Sequence, residues 1–167
     1  MTSSYSFEPL ADHDRTSFHC GNAELDEYLW HRASQDARRK VAAPFVMVDA
    51  AHHILGYYTL SSYSIRVAEL PPEIAKKLPK YPLIPATMLG RLAVSQDHRG
   101  KKFGTLLLMD ALHRSWKTTK DVASVGVVAE AIDEAAQQFY LHHEFRSLAE
   151  HPHKLFIAMS TIQKVLS

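Results

Sequence analysis

The chain has 167 residues, enough for one domain with a sizeable core. Its 19 Lys and Arg residues nearly balance 18 Asp and Glu residues, which excludes a strong overall field, so any anion site must come from local clustering. One cysteine, Cys20, excludes an internal disulfide and is typical of a reducing compartment. The start MTSSYSFEPLADHDR lacks a signal-peptide core, and no apolar run approaches the roughly 20 residues that span a bilayer. We therefore expect a single cytoplasmic domain over residues 1–167.

The first half of the chain is predicted to be rich in strands. An extended segment at about Tyr5 to Leu10 precedes a helix that begins after the N-cap residue Asn22 and ends in the basic run Arg38 to Lys40. Two apolar segments, Phe45 to Val48 and Ile54 to Leu60, flank a short polar connection. They predict an antiparallel hairpin.

The second half is predicted to contain a βαβ unit. Prolines recur between Leu70 and Pro85, so this segment can form at most a short helix, and we interpret it as an insertion over one face. A strand at about Thr87 to Val94, a helix from about Phe103 to Trp116 and a β-rich run from Val122 to Ala129 follow, which indicates parallel pairing. The last predicted elements are a short helix at about Asp133 to His142 and a strand from Lys154 to Met159.

A basic turn, RGKKFG, joins the central strand to its helix. The first N–H groups of a helix lack intrahelical partners, and with the positive end of the helix dipole they attract phosphate. Arg99, Lys101 and Lys102 add positive charge, while Gly100 and Gly104 let a ligand approach the backbone closely. The spacing fits neither the P-loop nor the dinucleotide-binding motif. The turn by itself is therefore either a phosphate site or an exposed basic loop.

This turn resembles the acetyl-CoA signature Q/R-x-x-G-x-G/A of the GNAT acyltransferases. Arg99 and Gly104 match, and Lys102 stands at the middle glycine. The resemblance implies a GNAT fold of the α+β (α/β) class, with a mixed, mostly antiparallel central sheet, a parallel βαβ unit that binds acetyl-CoA, and flanking helices. It also implies that loop N–H groups cradle the CoA pyrophosphate, and a lysine at position 102 can serve through its N–H if its φ is negative. The preceding strand would bind the pantetheine arm and polarise the thioester carbonyl. The implied acetyl-CoA-binding residues are Leu92, Ala93, Val94, Arg99, Gly100, Lys101, Lys102, Phe103, Gly104 and Thr105.

A second stretch, AQQFYLHHEF, resembles the late GNAT pattern A-x-x-F-Y-x-x-x-G-F. Ala136, Phe139, Tyr140 and Phe145 match, and Glu144 stands where glycine is usual. The resemblance implies a catalytic Tyr140 beside the thioester. A tyrosine with a reference pKa of about 10 remains protonated at neutral pH and is able to donate to the CoA sulfur. The alternative role of Tyr140 is aromatic packing beside Phe139.

Three further stretches resemble the TacT- and AtaT-like acetyltransferase toxins of bacterial type II toxin–antitoxin systems. They are FHCGNAELDEYL, GYYTLSS and PATMLGRLAV, which begin at Phe18, Gly56 and Pro85. The resemblance implies acetylation of the free α-amine of aminoacyl-tRNA, blocked translation, growth arrest, a neutralising ribbon-helix-helix antitoxin and a homodimer. Basic residues would contact tRNA phosphates, although a basic run at a helix end is also typical of a solvated face. The candidates for tRNA binding are Arg38, Arg39, Lys40, Lys77 and Arg91.

The residues themselves leave the acceptor open. A small-molecule amine or a protein amino terminus would use the same motifs, and Lys102 and Glu144 at glycine positions also allow a GNAT-like binding module without turnover. The histidines lack the spacing of zinc sites, so we expect no metal. Cys20 lies in no nucleophile signature and is predicted to be a small apolar filler.

Overall fold

The computed structural model of the protein describes residues 4–167, which form two compact units. The first unit contains the described residues up to Ser61 together with Gly90–Ala111. The second unit contains Ser62–Leu89 and Leu112–Ser167. No helix among the described residues has the length and apolarity needed to cross a bilayer.

Three antiparallel strands begin in the first unit: β1 (Tyr5–Pro9), β2 (Ala43–Asp49) and β3 (Ile54–Arg66), which continues into the second unit from Ser62. In the register of β1 with β2, Phe7 lies opposite Met47. Phe45 of β2 lies opposite Tyr58 of β3. The predicted first strand and the predicted hairpin are therefore confirmed, and β3 extends beyond the predicted end.

One irregular helix follows β1. The side chain of Asn22 accepts a hydrogen bond from the Leu25 N–H at 3.0 Å, as predicted for an N-cap. The helix consists of α1 (Ala23–Glu27), a π-helical segment (Tyr28–Arg32) and α2 (Ala33–Arg38). In the π-helical segment the Ala33 N–H donates to the Tyr28 carbonyl, an i to i−5 bond. The sequence predicted the helix but not this segment.

The core of the first unit lies between this helix and the sheet. Phe18, Leu29, Val46 and Tyr57 are buried in one apolar cluster. Each such side chain contributes about 1.5–3 kcal/mol through burial. The Tyr57 hydroxyl donates to the Leu25 carbonyl at 2.6 Å, so the ring is buried while its hydroxyl keeps a hydrogen-bond partner.

Helix α4 (Phe103–Thr118) begins in the first unit, where it packs closely on β3. A Cβ placed on Gly56 would lie 2.4 Å from Leu107 Cδ1 and 2.8 Å from the Ala93 carbonyl oxygen. A side chain at this position would therefore clash with the backbone at Ala93 and displace the Leu107 side chain of α4.

The second unit contains the parallel strand pair. Its strands are β4 (Leu83–Val94, which continues into the first unit), β5 (Gly126–Glu130), β6 (Arg146–Leu148) and β7 (His151–Ala158). Strands β4 and β5 pair in parallel, whereas β7 is antiparallel to both β5 and β6. The seven strands follow the order β1-β2-β3-β4-β5-β7-β6. This confirms the predicted mixed, mostly antiparallel sheet with a parallel βαβ unit.

The proline-rich segment of the second unit forms one short helix, as predicted. Helix α3 (Pro72–Ala75) has Ile74 and Ala75 packed against a buried cluster that includes Ile65, Ile84 and Phe156. The segment therefore covers apolar side chains of this unit.

The last third of the chain departs from prediction in several elements. The β-rich run starts only at Gly126, because Val122 N–H donates to the Thr118 carbonyl at 2.9 Å and still belongs to the turn that ends α4. Helix α5 (Glu134–His142) is where it was predicted. The final strand ends at Ala158 and not at Met159, and helix α6 (Met159–Leu166) follows. Neither β6 nor α6 was predicted.

Candidate active site

The loop between β4 and α4 exposes the start of a long helix. After a 3₁₀ turn (Gln96–His98), the chain passes through the basic residues and enters α4 at Phe103. The Leu106 N–H donates to the Lys102 carbonyl at 3.2 Å. The N–H groups of Phe103 and Gly104 precede this first helical bond, so they have no carbonyl partner within the helix. This is the geometry of a phosphate-binding helix start.

Two loop residues have left-handed backbone conformations. Gly100 has φ 80° and Lys102 has φ 63°. The condition of a negative φ at Lys102 is therefore not met. This backbone turn suits glycine, which explains why the signature has a glycine at the position that Lys102 occupies here; an L-residue in this region costs roughly 1–2 kcal/mol.

The loop surface is open on the side of Gly100. A Cβ placed on Gly100 would meet no atom within 4 Å. Lys101 and Lys102 are both exposed, and the Lys101 Nζ lies 3.1 Å from His98 Nδ1. The His98 ring stacks on Phe103, with ring centroids 5.7 Å apart. Open backbone, two exposed cations and the helix start together fit a pyrophosphate group.

Arg99 has a different environment from the two lysines. Its guanidinium donates a hydrogen bond to the Cys20 carbonyl, 79 residues away in the chain. The neighbouring Gln96 N–H donates to the His19 carbonyl at 2.8 Å. The segment before α1 thus lies along the loop, a contact that the sequence did not reveal.

The strand residues predicted to bind acetyl-CoA end β4. Ala93 is buried, whereas Leu92 and Val94 are half-buried. The register of β4 with β5 runs from Thr87 to Leu89, and β4 itself continues to Val94. Thr105, the last predicted member of the loop set, is half-buried in the first turn of α4.

Tyr140 lies in α5, in the second unit. The helix is capped at its start by Asp133, whose side chain accepts from the Ala136 N–H at 2.8 Å. The Tyr140 side chain is 5% exposed. Burial raises the pKa of its phenol above the usual value, so the hydroxyl remains protonated at neutral pH.

The end of α5 explains the second motif. The Phe145 N–H donates to the Tyr140 carbonyl at 3.2 Å, which is the outer bond of a Schellman motif. Glu144 takes the left-handed position of that motif, with φ 73°. The rings of Tyr140 and Phe145 pack with centroids 5.1 Å apart. The spacing F-Y-x-x-x-G-F therefore encodes a helix end that holds Tyr140.

The basic run predicted to contact tRNA ends the first helix. Arg38, Arg39 and Lys40 are all exposed. Lys40 has φ 63°, and the Val41 N–H donates to the Asp36 carbonyl at 3.0 Å, which forms another helix end of the same type. Cations at a helix C-terminus interact favourably with the dipole.

Arg91 is held by an aromatic ring. Its guanidinium carbon lies 3.6 Å from the centroid of the Tyr28 ring, and the Tyr28 hydroxyl donates to Asp36 at 2.8 Å. Burial, followed by the hydrogen bond to Asp36, raises the pKa of Tyr28 to about 12. Arg91 and the basic run thus belong to the first unit, whereas Lys77 lies exposed in the second. Sequence reasoning missed Tyr28 and Asp36 as partners of this group.

Two further points concern Cys20 and metal binding. Cys20 is buried, and burial raises the pKa of its thiol to about 11, so the thiolate needed of a nucleophile is disfavoured. Among residues 4–167 no group of three or more His, Cys, Asp or Glu side chains is placed to hold a metal ion.

Comparison with known proteins gives consistent matches. The family described as an acetyltransferase (GNAT) domain matches residues 43–147. A tRNA-acetylating toxin of Mycobacterium tuberculosis (strain ATCC 25618 / H37Rv) is 28% identical over 153 residues, 92% of this chain and 90% of the toxin. AtaT complexed with acetyl-methionyl-tRNAfMet is 29% identical with a TM-score of 0.90, over 98% of this chain and 100% of that chain. A tyrosine-to-phenylalanine variant of AtaT, bound to the C-terminus of the antitoxin AtaR and acetyl-CoA, is 25% identical with a TM-score of 0.84, over 98% of each chain.

Proposed function

Because the chain belongs to the GNAT acetyltransferase family, we propose that it is a toxin that transfers the acetyl group of acetyl-CoA to the free α-amine of aminoacyl-tRNA. The acetylated amine is no longer nucleophilic, so translation is blocked and growth stops. The observation that carries this proposal is the likeness, over almost the whole chain, to a tRNA-acetylating toxin and to AtaT complexed with an acetylated tRNA.

Acetyl-CoA binding is assigned to the loop and strand of the first unit. In this proposal residues 1–167 act as one GNAT domain. The N–H groups between Arg99 and Thr105 hold the pyrophosphate, with help from the charges of Lys101 and Lys102. Backbone groups from Leu92 to Val94 hold the pantetheine arm and polarise the thioester carbonyl. The open surface at Gly100 and the start of α4 support this assignment.

Tyr140 is assigned the role of general acid. The amine attacks the carbonyl carbon, the C–S bond breaks, and the departing thiolate takes the phenolic proton of Tyr140, while the amine loses a proton to solvent. Solvent then returns a proton to the phenolate, which restores Tyr140 for the next turnover. An α-amine has a pKa of about 8, so part of it is already neutral at physiological pH and no dedicated base is required. The raised pKa of Tyr140 keeps its phenol protonated, as a donor must be, and makes it a weaker acid than a free tyrosine.

The tRNA is assigned to the basic residues. Arg38, Arg39, Lys40 and Arg91 in the first unit, and Lys77 in the second, contact phosphates, so binding weakens with salt. A substrate of this kind places the protein in the cytoplasm. We further assign it a ribbon-helix-helix antitoxin and a homodimeric state; the AtaT structure with bound AtaR supports an antitoxin partner.

Acetyl transfer to total aminoacyl-tRNA tests this proposal. Purified protein, labelled acetyl-CoA and charged tRNA should give label that sediments with tRNA, and uncharged tRNA should give none. A parallel panel of small amines and peptide amino termini tests the alternative acceptors. Label in that panel but in no charged isoacceptor would contradict the toxin proposal, and absence of label in every acceptor would leave only a binding module.

A further inference from the structure

The segment that leads into α1 is fixed from two sides. On one side, it receives the Arg99 guanidinium at the Cys20 carbonyl and the Gln96 N–H at the His19 carbonyl. On the other side, the Cys20 N–H donates at 2.8 Å to Asp26 Oδ1, and Asp26 is 5% exposed. Residues 19–21 thus connect the acetyl-CoA loop to the first turn of α1.

Gly21 makes room for this contact. A Cβ placed on Gly21 would lie 2.7 Å from Arg99 Nη2, closer than side-chain carbons approach other atoms. Gly21 also has φ 93°, a conformation that glycine adopts without strain. Two features therefore favour this position of the Arg99 guanidinium. They are its hydrogen bond to the Cys20 carbonyl and the absence of a side chain at Gly21.

We propose that Arg99 is a positioning residue that joins the acetyl-CoA loop to the segment before α1, and that it does not bind phosphate through its side chain. Arg99 is exposed like Lys101 and Lys102, but its guanidinium donates to a carbonyl, and the two lysines remain to supply charge. This inference rests on the proposed function in one respect, that the loop binds CoA. Binding of CoA, which orders the loop, then also orders residues 19–21. By thermodynamic linkage, a more ordered segment 19–21 favours CoA binding.

Three variants separate positioning from phosphate binding. Arg99→Met removes the donors and keeps a flexible stem. Arg99→Lys keeps the charge but loses the planar guanidinium. Gly21→Ala leaves Arg99 in place and sets a methyl group against its guanidinium. If Arg99 binds phosphate, lysine should largely replace it; if Arg99 positions the loop, lysine should behave like methionine.

Amide hydrogen exchange on the ligand-free protein gives the first test. Protection of the Gln96 and Cys20 amides should fall about tenfold in Arg99→Met and in Arg99→Lys, the scale of one lost charge-assisted hydrogen bond. The Ser95 amide donates to the Leu55 carbonyl at 2.8 Å and is the internal reference that should not change. Unchanged protection at Gln96 and Cys20 in both variants would overturn the proposal.

Calorimetric titration with CoA at several salt concentrations gives the second test. Arg99→Met should weaken CoA binding about tenfold with unchanged salt dependence. Gly21→Ala should weaken it through the methyl group set against the Arg99 guanidinium and through strain at φ 93°, and in the double variant only the first of these two losses should disappear, because it depends on Arg99. CoA should raise protection of the Cys20 amide in the native protein and not in Arg99→Met. Full affinity in Arg99→Lys, or a reduced salt dependence in Arg99→Met, would identify a phosphate ligand and overturn the proposal. A native protein that binds no CoA would contradict the proposed function, while the ligand-free exchange would still decide the role of Arg99.

Discussion

The phenol of Tyr140 is the single side chain on which the proposed chemistry depends. Tyr140→Phe removes the O–H and keeps the ring that packs on Phe145. We expect kcat for aminoacyl-tRNA acetylation to fall about 10²- to 10⁴-fold, the usual contribution of a positioned acid, with little change in KM for acetyl-CoA. Thermal unfolding is the control: a large loss of stability would assign the effect to packing.

The pH dependence of the rate follows from the same burial. A raised pKa keeps Tyr140 protonated beyond the range of a free tyrosine, so Tyr140 should cause no fall in kcat below about pH 10. On the acid side the rate should rise as the acceptor amine, with a pKa of about 8, loses its proton. A descending limb near pH 8 that disappears in Tyr140→Phe would show that the phenol ionises earlier than its burial permits.

Lys102 combines an unfavourable backbone conformation with a useful charge. Lys102→Gly should raise the free energy of unfolding by up to about 1 kcal/mol, because glycine adopts φ 63° more easily, whereas Lys102→Ala should not. Both variants should weaken CoA binding and reduce its salt dependence, because both remove the ammonium group. Urea unfolding and calorimetry measure the two effects separately. Unchanged CoA affinity in both variants would assign no ligand role to the lysine side chain.

At the residue scale, the sequence pointed to the loop and Tyr140 as candidate site residues but not to the contacts that hold them in place. The signature pointed to Arg99 and Lys102 by spacing alone. The partner of Arg99 is 79 residues away, and no local pattern encodes that pairing. The left-handed conformation of Lys102 was also hidden, since lysine gives no sign of the positive φ that a glycine would have suggested.

The end of α5 offers a test at the scale of an element. Glu144→Gly should stabilise the protein by about 1 kcal/mol, because the left-handed position of a Schellman motif favours a residue without a Cβ. Glu144→Ala is the matched control and should give no such gain. Urea denaturation measures both. Equal stability of the two variants would mean that the backbone conformation at Glu144 carries no cost.

Elements with strong periodicity or clear caps were predictable. Helix α5 starts at an Asp cap and α4 is a long leucine-rich helix, so both were found. Strand β6 has three residues, too few for any alternation to show. Val122 belongs to a β-rich run by composition, yet the turn at the end of α4 leaves it 63% exposed. The local backbone hydrogen bond from Val122 to Thr118 overrode the intrinsic β-propensity there.

At the scale of the whole molecule, burial of one thiol and three phenols determines how stability changes at high pH. Burial raises the pKa values of Cys20, Tyr28, Tyr57 and Tyr140 in the folded state. Unfolding therefore releases protons at high pH, and stability should fall as the pH rises above the reference value of 9.0 for the thiol. Urea midpoints at neutral pH and at pH values above this should show the decline. In Cys20→Ala, stability should decline less steeply between pH 9.0 and about 11, the pKa of the buried thiol. An identical slope in the variant and the native protein would contradict the assignment of this part of the decline to Cys20.

The π-helical segment determines how the first helix responds to the deletion of a residue. Tyr28 and Asp36 are eight residues apart and still form a hydrogen bond. In a regular α-helix eight residues overshoot two turns by about 80°, and the extra residue of a π turn removes most of that difference. The segment is thus equivalent to one inserted residue. Loss of one residue between Tyr28 and Arg32 would turn the segment into regular α-helix and leave Tyr28 and Asp36 seven residues apart, within about 20° of two full turns. The pair would therefore stay on one face of the helix, so the π turn lets this helix lose a residue without losing the contact between Tyr28 and Asp36.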